Sequence, residues 1–195
     1  MKKIGVTGGV GAGKSTVLNY LRDMYDAQIV LADLVGHEVM ESGQEAYEQI
    51  VEQFGQEIVG ADSYIDRKNL GALVFADPEK LRILNGIVHP AVKKEILRRI
   101  EQARKNGKAC VVVEAALFLE ENYDAFCDET WYIYTNEELR RERLRVSRGY
   151  SDERIDQIIA VQKRHEEFLE RCQFVIDNNG TEADTHRQID RRMRQ

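Results

Sequence analysis

Gly8-Gly9-Val10-Gly11-Ala12-Gly13-Lys14-Ser15, followed by Thr16, satisfies the pattern G-x-x-x-x-G-K-[ST]. Residues of these types bind the phosphates of a nucleoside triphosphate when they follow a strand and open a helix. Both conditions are met. The apolar β run Ile4-Gly5-Val6-Thr7 precedes the segment, and Val17, Leu18 and Leu21 follow at helical spacing. The glycines let the backbone turn its N–H groups inward as an anion nest on a helix N-terminus. Gly9 to Thr16 are therefore the candidate ATP-binding residues. Lys14 adds a point charge for the β- and γ-phosphates, and the Ser15 hydroxyl is a candidate Mg²⁺ ligand.

Four further places carry chemistry-bearing residues, each with two readings. Asp33 lies just past the second apolar run, where the carboxyl ends of parallel strands line a ligand crevice. There it serves as a base toward an attacking hydroxyl, or as the N-cap of a helix over Leu34 to Met40. Glu114 ends the run Val111-Val112-Val113 and either holds Mg²⁺ through water or is a solvated carboxylate at a strand end. Five arginines fall in the nine residues Arg140 to Arg148; with Arg141 and Arg145 on one helix face and Arg140 and Arg143 on another, they form a lid over ATP or a solvated helix face. His89, before Pro90 in an extended turn, is an ordinary polar turn residue or a ligand or base, and the first reading is favoured. No Asn-Lys-x-Asp segment follows a later strand, so guanine specificity is not expected.

The elements that must position these residues alternate along 195 residues, a length that favours one domain, residues 1–195. Strands are expected at Ile4–Thr7, Gln28–Leu31, Cys110–Val113, Thr130–Tyr134 and Phe174–Ile176, separated by helices, which predicts βαβ units and a parallel sheet. Residues 35–106 read almost wholly as helix, with breaks at Gly43, Gly60 to Asp66, Pro78 and Pro90, and are taken as an inserted subdomain on the substrate side. Thr135-Asn136-Glu137-Glu138 has capping-box spacing and opens the lid helix; residues 138–155 form the lid. The expected fold class is α/β, a three-layer arrangement around a five-stranded parallel sheet.

Composition narrows the function further. Lys and Arg number 28 against 34 Asp and Glu, and the net charge of −6 argues against coating nucleic acid. No apolar run approaches a membrane span, and the first residues lack a signal peptide's apolar core. Three widely spaced cysteines, Cys110, Cys127 and Cys172, fit a reducing cytoplasm better than a disulfide framework or zinc site. No metal beyond Mg²⁺ is expected. From the residues alone, the chain is a small-molecule kinase or a non-catalytic ATP-binding regulator.

The ordered set of motifs resembles one family, the dephospho-CoA kinases. The similarity runs through Thr7 to Thr16, Ala32-Asp33, His89-Pro90, Leu117 to Glu120, Arg143 with Gly149-Tyr150-Ser151, Gln162, and Val175 to Gly180, nearly the whole chain. The resemblance implies ATP-dependent phosphorylation of the ribose 3′-hydroxyl of dephospho-CoA, the last step of coenzyme A synthesis. It implies Asp33 as catalytic base and His89 facing the acceptor. The Asn178-Asn179-Gly180 turn would approach adenine, with Asn178 and Gly180 as its contacts. The chain departs from the family pattern twice. Ala116-Leu117-Phe118 stands where proline-leucine-leucine is common, and Ser147 stands where the lid often has arginine, which leaves Arg143 or Arg148 as the lid arginine. The rival acceptors are another nucleoside, nucleotide or sugar. The sequence does not fix the oligomeric state.

Overall fold

The computed structural model describes residues 1–195. Five strands form a parallel sheet in the order β2-β3-β1-β4-β5, with β1 at Lys2–Thr7, β2 at Gln28–Leu31, β3 at Cys110–Glu114, β4 at Glu129–Tyr134 and β5 at Phe174–Asp177. β1 lies in the centre, its Lys2–Val6 in register with Cys110–Glu114 on one side and its Ile4–Thr7 with Glu129–Tyr132 on the other. β3 is buried over Cys110–Val113, as a continuous β-branched run covered on both faces should be. No helix is long and apolar enough to cross a membrane.

The helices are α1 (Lys14–Tyr25), α2 (Ala32–Glu38), α3 (Glu45–Phe54), α4 (Arg67–Phe75), α5 (Pro78–Lys105), α6 (Glu137–Arg148), α7 (Asp152–Ala160), α8 (His165–Arg171) and α9 (Glu182–Met193). The chain packs as two units, Met1–Val30 with Ala103–Gln195, and Leu31–Gln102.

In the first unit, α1 is buried through Val17, Leu18 and Leu21, the residues at helical spacing. It is pinned to α9 by Tyr20 and Tyr25, whose hydroxyls both donate to Asp190 Oδ1 at 2.8 and 2.7 Å. Burial and the bond to Asp190 push the Tyr25 hydroxyl up to about 12, so it remains a donor. Trp131 and Ile133 are fully buried on β4, and Tyr132 stacks on Phe168 of α8. Phe118 is fully buried against Tyr123, whereas Leu117 is exposed, so in Ala116-Leu117-Phe118 the phenylalanine is the residue that packs inward.

The second unit is helical, with a core of Ile50, Phe54, Ile58, Leu70 and Val74 from α3, α4 and the 3₁₀ turn Gln56–Ile58, and of Ile65 just before α4. Asp66 caps α4 by accepting from Lys68 and Asn69 N–H, and Asp77 does the same for α5 through Glu79 and Lys80. The helix break expected at Pro90 does not occur. α5 runs through it for 28 residues, and His89 is helical and half-buried, not in a turn. Proline removes one intrahelical bond, but Val92, Ile96 and Ile100 are buried beyond it, and that burial outweighs the loss.

Candidate active site

The phosphate loop runs from the end of β1 to the start of α1. Gly13 is its last residue, in the left-handed region at φ 85°, where only glycine is unstrained. No side chain caps α1, so its first-turn N–H groups face the loop, the arrangement that attracts phosphate. Lys14 Nζ donates to Gly8 O at 2.8 Å and lies 3.6 Å from Glu114 Oε1. Both side chains are mostly buried, so the ammonium is held over the loop's beginning by a carboxylate on β3.

The rest of the loop is fastened by polar groups that follow β4 and β5 or lie on α6 and α9. Asn178, next after β5, donates from Nδ2 to Ala12 O at 2.8 Å. Its Oδ1 accepts from Thr185 Oγ1 at 2.7 Å, and Thr185 on α9 is fully buried. Thr135, after β4, sets its hydroxyl 3.0 Å from Ala12 O and accepts from Arg143 Nη1 at 3.2 Å. Arg143 Nη2 donates to Asn178 O at 2.9 Å. The expected cap role of Thr135 is therefore taken by Asn136, whose side chain accepts from Leu139 N–H, because the Thr135 hydroxyl is engaged with the loop.

At the loop's other end, Arg140 Nε donates to Val10 O at 2.9 Å, and its Nη2 donates to Gln162 Oε1. Gln162 Oε1 also accepts from Val10 N–H at 3.3 Å. The guanidinium lies so close to Gly9 that a Cβ there would fall 2.5 Å from its Cζ. Burial pushes the Arg140 pKa down from its ordinary value.

The arginine cluster thus divides by face. Arg141 pairs with Glu137 and Asp156, and Arg145 with Asp152, as a solvated face would. Arg140 and Arg143 turn inward to the loop. Arg148 ends α6 exposed, beside the Tyr150 ring at 5.9 Å, and Ser147 donates to Arg143 O. Arg140, Thr135, Gln162 and Thr185 were not singled out as site residues from sequence. The i,i+3 pairing of Arg140 with Arg143 was the available signal for the first. Nothing in the sequence marked Thr185.

Asp33 is the second residue of α2, two residues beyond the carboxyl end of β2, and exposed. It is not the N-cap. Leu31 occupies that position and no side chain caps the helix, since α2 starts at Ala32 without a connecting loop. His89 lies on α5 in the same helical unit. Gly180 closes the turn after β5, against Asp184.

Mg²⁺ prefers oxygen donors and keeps waters and substrate phosphates in its shell, so it needs few protein ligands. The Ser15 hydroxyl at the start of α1 and the Glu114 carboxylate beside Lys14 are donors of that kind. No cluster of three or more His, Cys, Asp or Glu is brought together elsewhere.

The sequence profile of the dephospho-CoA kinase family matches residues 2–184. A dephospho-CoA kinase of Enterococcus faecalis is 40% identical over 188 residues, covering 96% of this chain and 94% of its own. One from Symbiobacterium thermophilum is 38% identical over 190 residues, covering 97% and 79%. Among solved structures, the dephospho-CoA kinase from Campylobacter jejuni superposes with a TM-score of 0.71 at 27% identity, covering 100% of this chain and 96% of its own. Shikimate kinase from Acinetobacter baumannii, with a TM-score of 0.57 at 17% identity over 99% of this chain and 93% of its own, shares the fold alone. With a phosphate loop fastened at both ends and relatives that match it almost from end to end, the chain belongs to the dephospho-CoA kinase family.

Proposed function

We propose that the chain transfers the γ-phosphoryl group of ATP to the ribose 3′-hydroxyl of dephospho-CoA, giving coenzyme A and ADP. The observation that carries this reading is the family match over residues 2–184, which includes the loop, Asp33, the α6 arginines and the Asn178 turn. The phosphates lie along Gly9 to Thr16, held by backbone N–H groups and by Lys14, whose bond to Gly8 O gives way to the β- and γ-oxygens. Asp33 accepts the proton of the 3′-hydroxyl. The hydroxyl oxygen forms a bond to the γ-phosphorus, and the bond from that phosphorus to the β–γ bridging oxygen breaks, its electron pair leaving with ADP. Ser15, with Glu114 through water, would hold Mg²⁺, which would supply charge neutralisation to the triphosphate.

Residues 138–155 act as the lid. Of the two arginines expected there, Arg143 is the one supported by contacts to the loop's neighbours, while Arg148 stands at the exposed helix end. The Asn178 amide is committed to Ala12 O and Thr185, so adenine contact falls to the turn's backbone and Gly180. His89 faces the acceptor from α5. There is little covalent work for the protein, so positioning and electrostatics carry most of the rate.

The test is ADP release from MgATP by the purified protein with dephospho-CoA, adenosine, AMP or no acceptor. Release that depends on dephospho-CoA, with a product heavier by one phosphate, is expected. Preference for another acceptor would move the substrate assignment and leave the kinase. ATP binding without transfer to any of them would remove the enzyme.

A further inference from the structure

We propose that Arg140 is a γ-phosphoryl ligand of this enzyme, oriented by Gln162, in addition to the lid arginines expected from the family pattern. The proposal rests on ATP being the phosphoryl donor and is independent of which acceptor is used.

Among the five arginines of α6, the bonding of each guanidinium assigns its task. Arg141 and Arg145 are spent on acidic residues of α6 and α7. Arg143 donates from both Nη atoms, to Thr135 Oγ1 and Asn178 O, at the end of the loop where Gly13 leads into α1. Arg148 lies with Tyr150, a ring it shares with Arg154. Arg140 alone donates to a carbonyl of the loop itself, Val10 O. That bond uses Nε, and Gln162 takes Nη2, which leaves Nη1 with two N–H donors and no protein acceptor. A guanidinium has five donors in a rigid fork, so fixing Nε and Nη2 fixes where the Nη1 edge points.

The position of that edge matches the γ end of a triphosphate. In a loop of this kind the lysine reaches the β- and γ-phosphates. Lys14 Nζ sits on Gly8 O, and Arg140 packs against the next residue, Gly9, where a Cβ would come within 2.8 Å of Nη1. The two cations therefore stand at consecutive residues at the beginning of the loop, and Arg143 stands at its end. A side chain at residue 9 would displace the guanidinium, so Gly9 serves this close approach. Gln162 Oε1 links the parts by accepting from Arg140 Nη2 and Val10 N–H together, so loop and arginine move as one. The half-buried guanidinium is partly stripped of water, which strengthens its attraction for a phosphoryl oxygen.

The test compares ATP with ADP, because only ATP carries the group in question. Arg140→Gln keeps an amide donor for Val10 O but loses the charge. It is expected to weaken ATP binding about tenfold or more, the loss of one charge-assisted bond, and to leave ADP within about twofold. Turnover should fall about 10²-fold, as when one donor to developing charge is removed. Arg140→Lys should recover part of the ATP-over-ADP preference. Arg143→Gln, at the Gly13 end, should weaken ATP and ADP alike. Gln162→Ala keeps the guanidinium but loses its orienting acceptor and should lower the ATP preference in the same direction as Arg140→Gln. Equal loss of ATP and ADP affinity in Arg140→Gln would make Arg140 a strut of the loop and overturn the proposal. If Arg140→Gln does not fold, an unchanged ATP preference in Gln162→Ala overturns it instead.

Discussion

The phosphate-loop side of the first unit and the helical unit Leu31–Gln102 are held by opposite means. Around the loop, buried hydroxyls, an amide and two guanidinium groups bond to specific carbonyls, with Thr135, Asn178 and Thr185 almost wholly excluded from solvent. In the helical unit the core is purely apolar, and the polar contacts are helix caps and surface ion pairs such as Lys94–Glu45 and Arg98–Glu95. That unit also encloses a cleft of about 800 Å³ lined by Glu41, Gln44, Gln49, Ile87, Pro90 and Lys94 among others. Buried polar bonds are directional and costly to break, whereas apolar packing tolerates small shifts. A triphosphate presents the same geometry every time, which suits the first construction. A larger, more flexible acceptor suits the second.

The sharpest way to separate the two is chemical. Asp33 comes from the helical unit, and its replacement by Asn should lower kcat by about 10²–10⁴-fold, the range for a general base, while ATP affinity stays within about twofold. Single-turnover rates and ATP titration check both halves. Full turnover in this variant would remove Asp33 as the base. Loss of ATP binding would mean that the helical unit helps to shape the loop. The next largest effect is structural. Ile50 is fully buried in the helical core, and Ile50→Ala should destabilise that unit by about 2–5 kcal/mol. Hydrogen exchange should quicken in α3 and α4 and remain slow in β1, β3 and β4. Equal quickening throughout would show that the two units unfold together.

What was legible in the sequence divides along the same line. The loop could be read because its chemistry is local: eight consecutive residues carry the glycines, the lysine and the serine. The sheet could be read because β-branched runs such as Cys110–Val113 are contiguous. The fastening of the loop could not be read. Thr135 and Thr185 are 50 residues apart in sequence and meet only through Asn178, itself brought in by β5. Capping-box spacing at Thr135 was correct as a local pattern but lost to a tertiary bond. Pro90 misled for the same reason, because the burial of Val92, Ile96 and Ile100 holds α5 together across it. Asp33 as a cap failed on a smaller matter, the missing loop between β2 and α2.

Thr185→Val probes the fastening directly. The hydroxyl is fully buried and donates to Asn178 Oδ1, so the isosteric change leaves that acceptor unpaired and should cost about 1–3 kcal/mol. ATP affinity should fall with it, since Asn178 in turn holds Ala12 O. Melting curves with and without ATP measure the two losses. A fall in stability with full ATP affinity would show that the amide of Asn178 keeps its place without Thr185.

The smallest effect belongs to the surface pairs, and it has a sign that can be worked out. The side-chain bond from Arg98, aided by Arg99, holds the Glu95 carboxyl down to about 2 from an ordinary 4.5, against a smaller opposing effect of burial. A carboxylate depressed on folding contributes stability above its unfolded value, and that contribution is lost as pH falls through the folded one. Glu95 therefore stabilises the helical unit fully above about pH 4.5 and progressively less down to about pH 2. Arg98 is well exposed, so solvent screening keeps the gain small. Glu95→Gln should lower the melting temperature slightly at pH 6, and the difference from the parent should shrink as pH falls from 4.5 to 2. ATP affinity at neutral pH should not change, because Glu95 belongs to the unit that does not carry the loop. A difference that grows with acid would reverse the sign of the pairing. A loss of ATP affinity would mean that the surface pairs and the buried fastening of the loop are not independent.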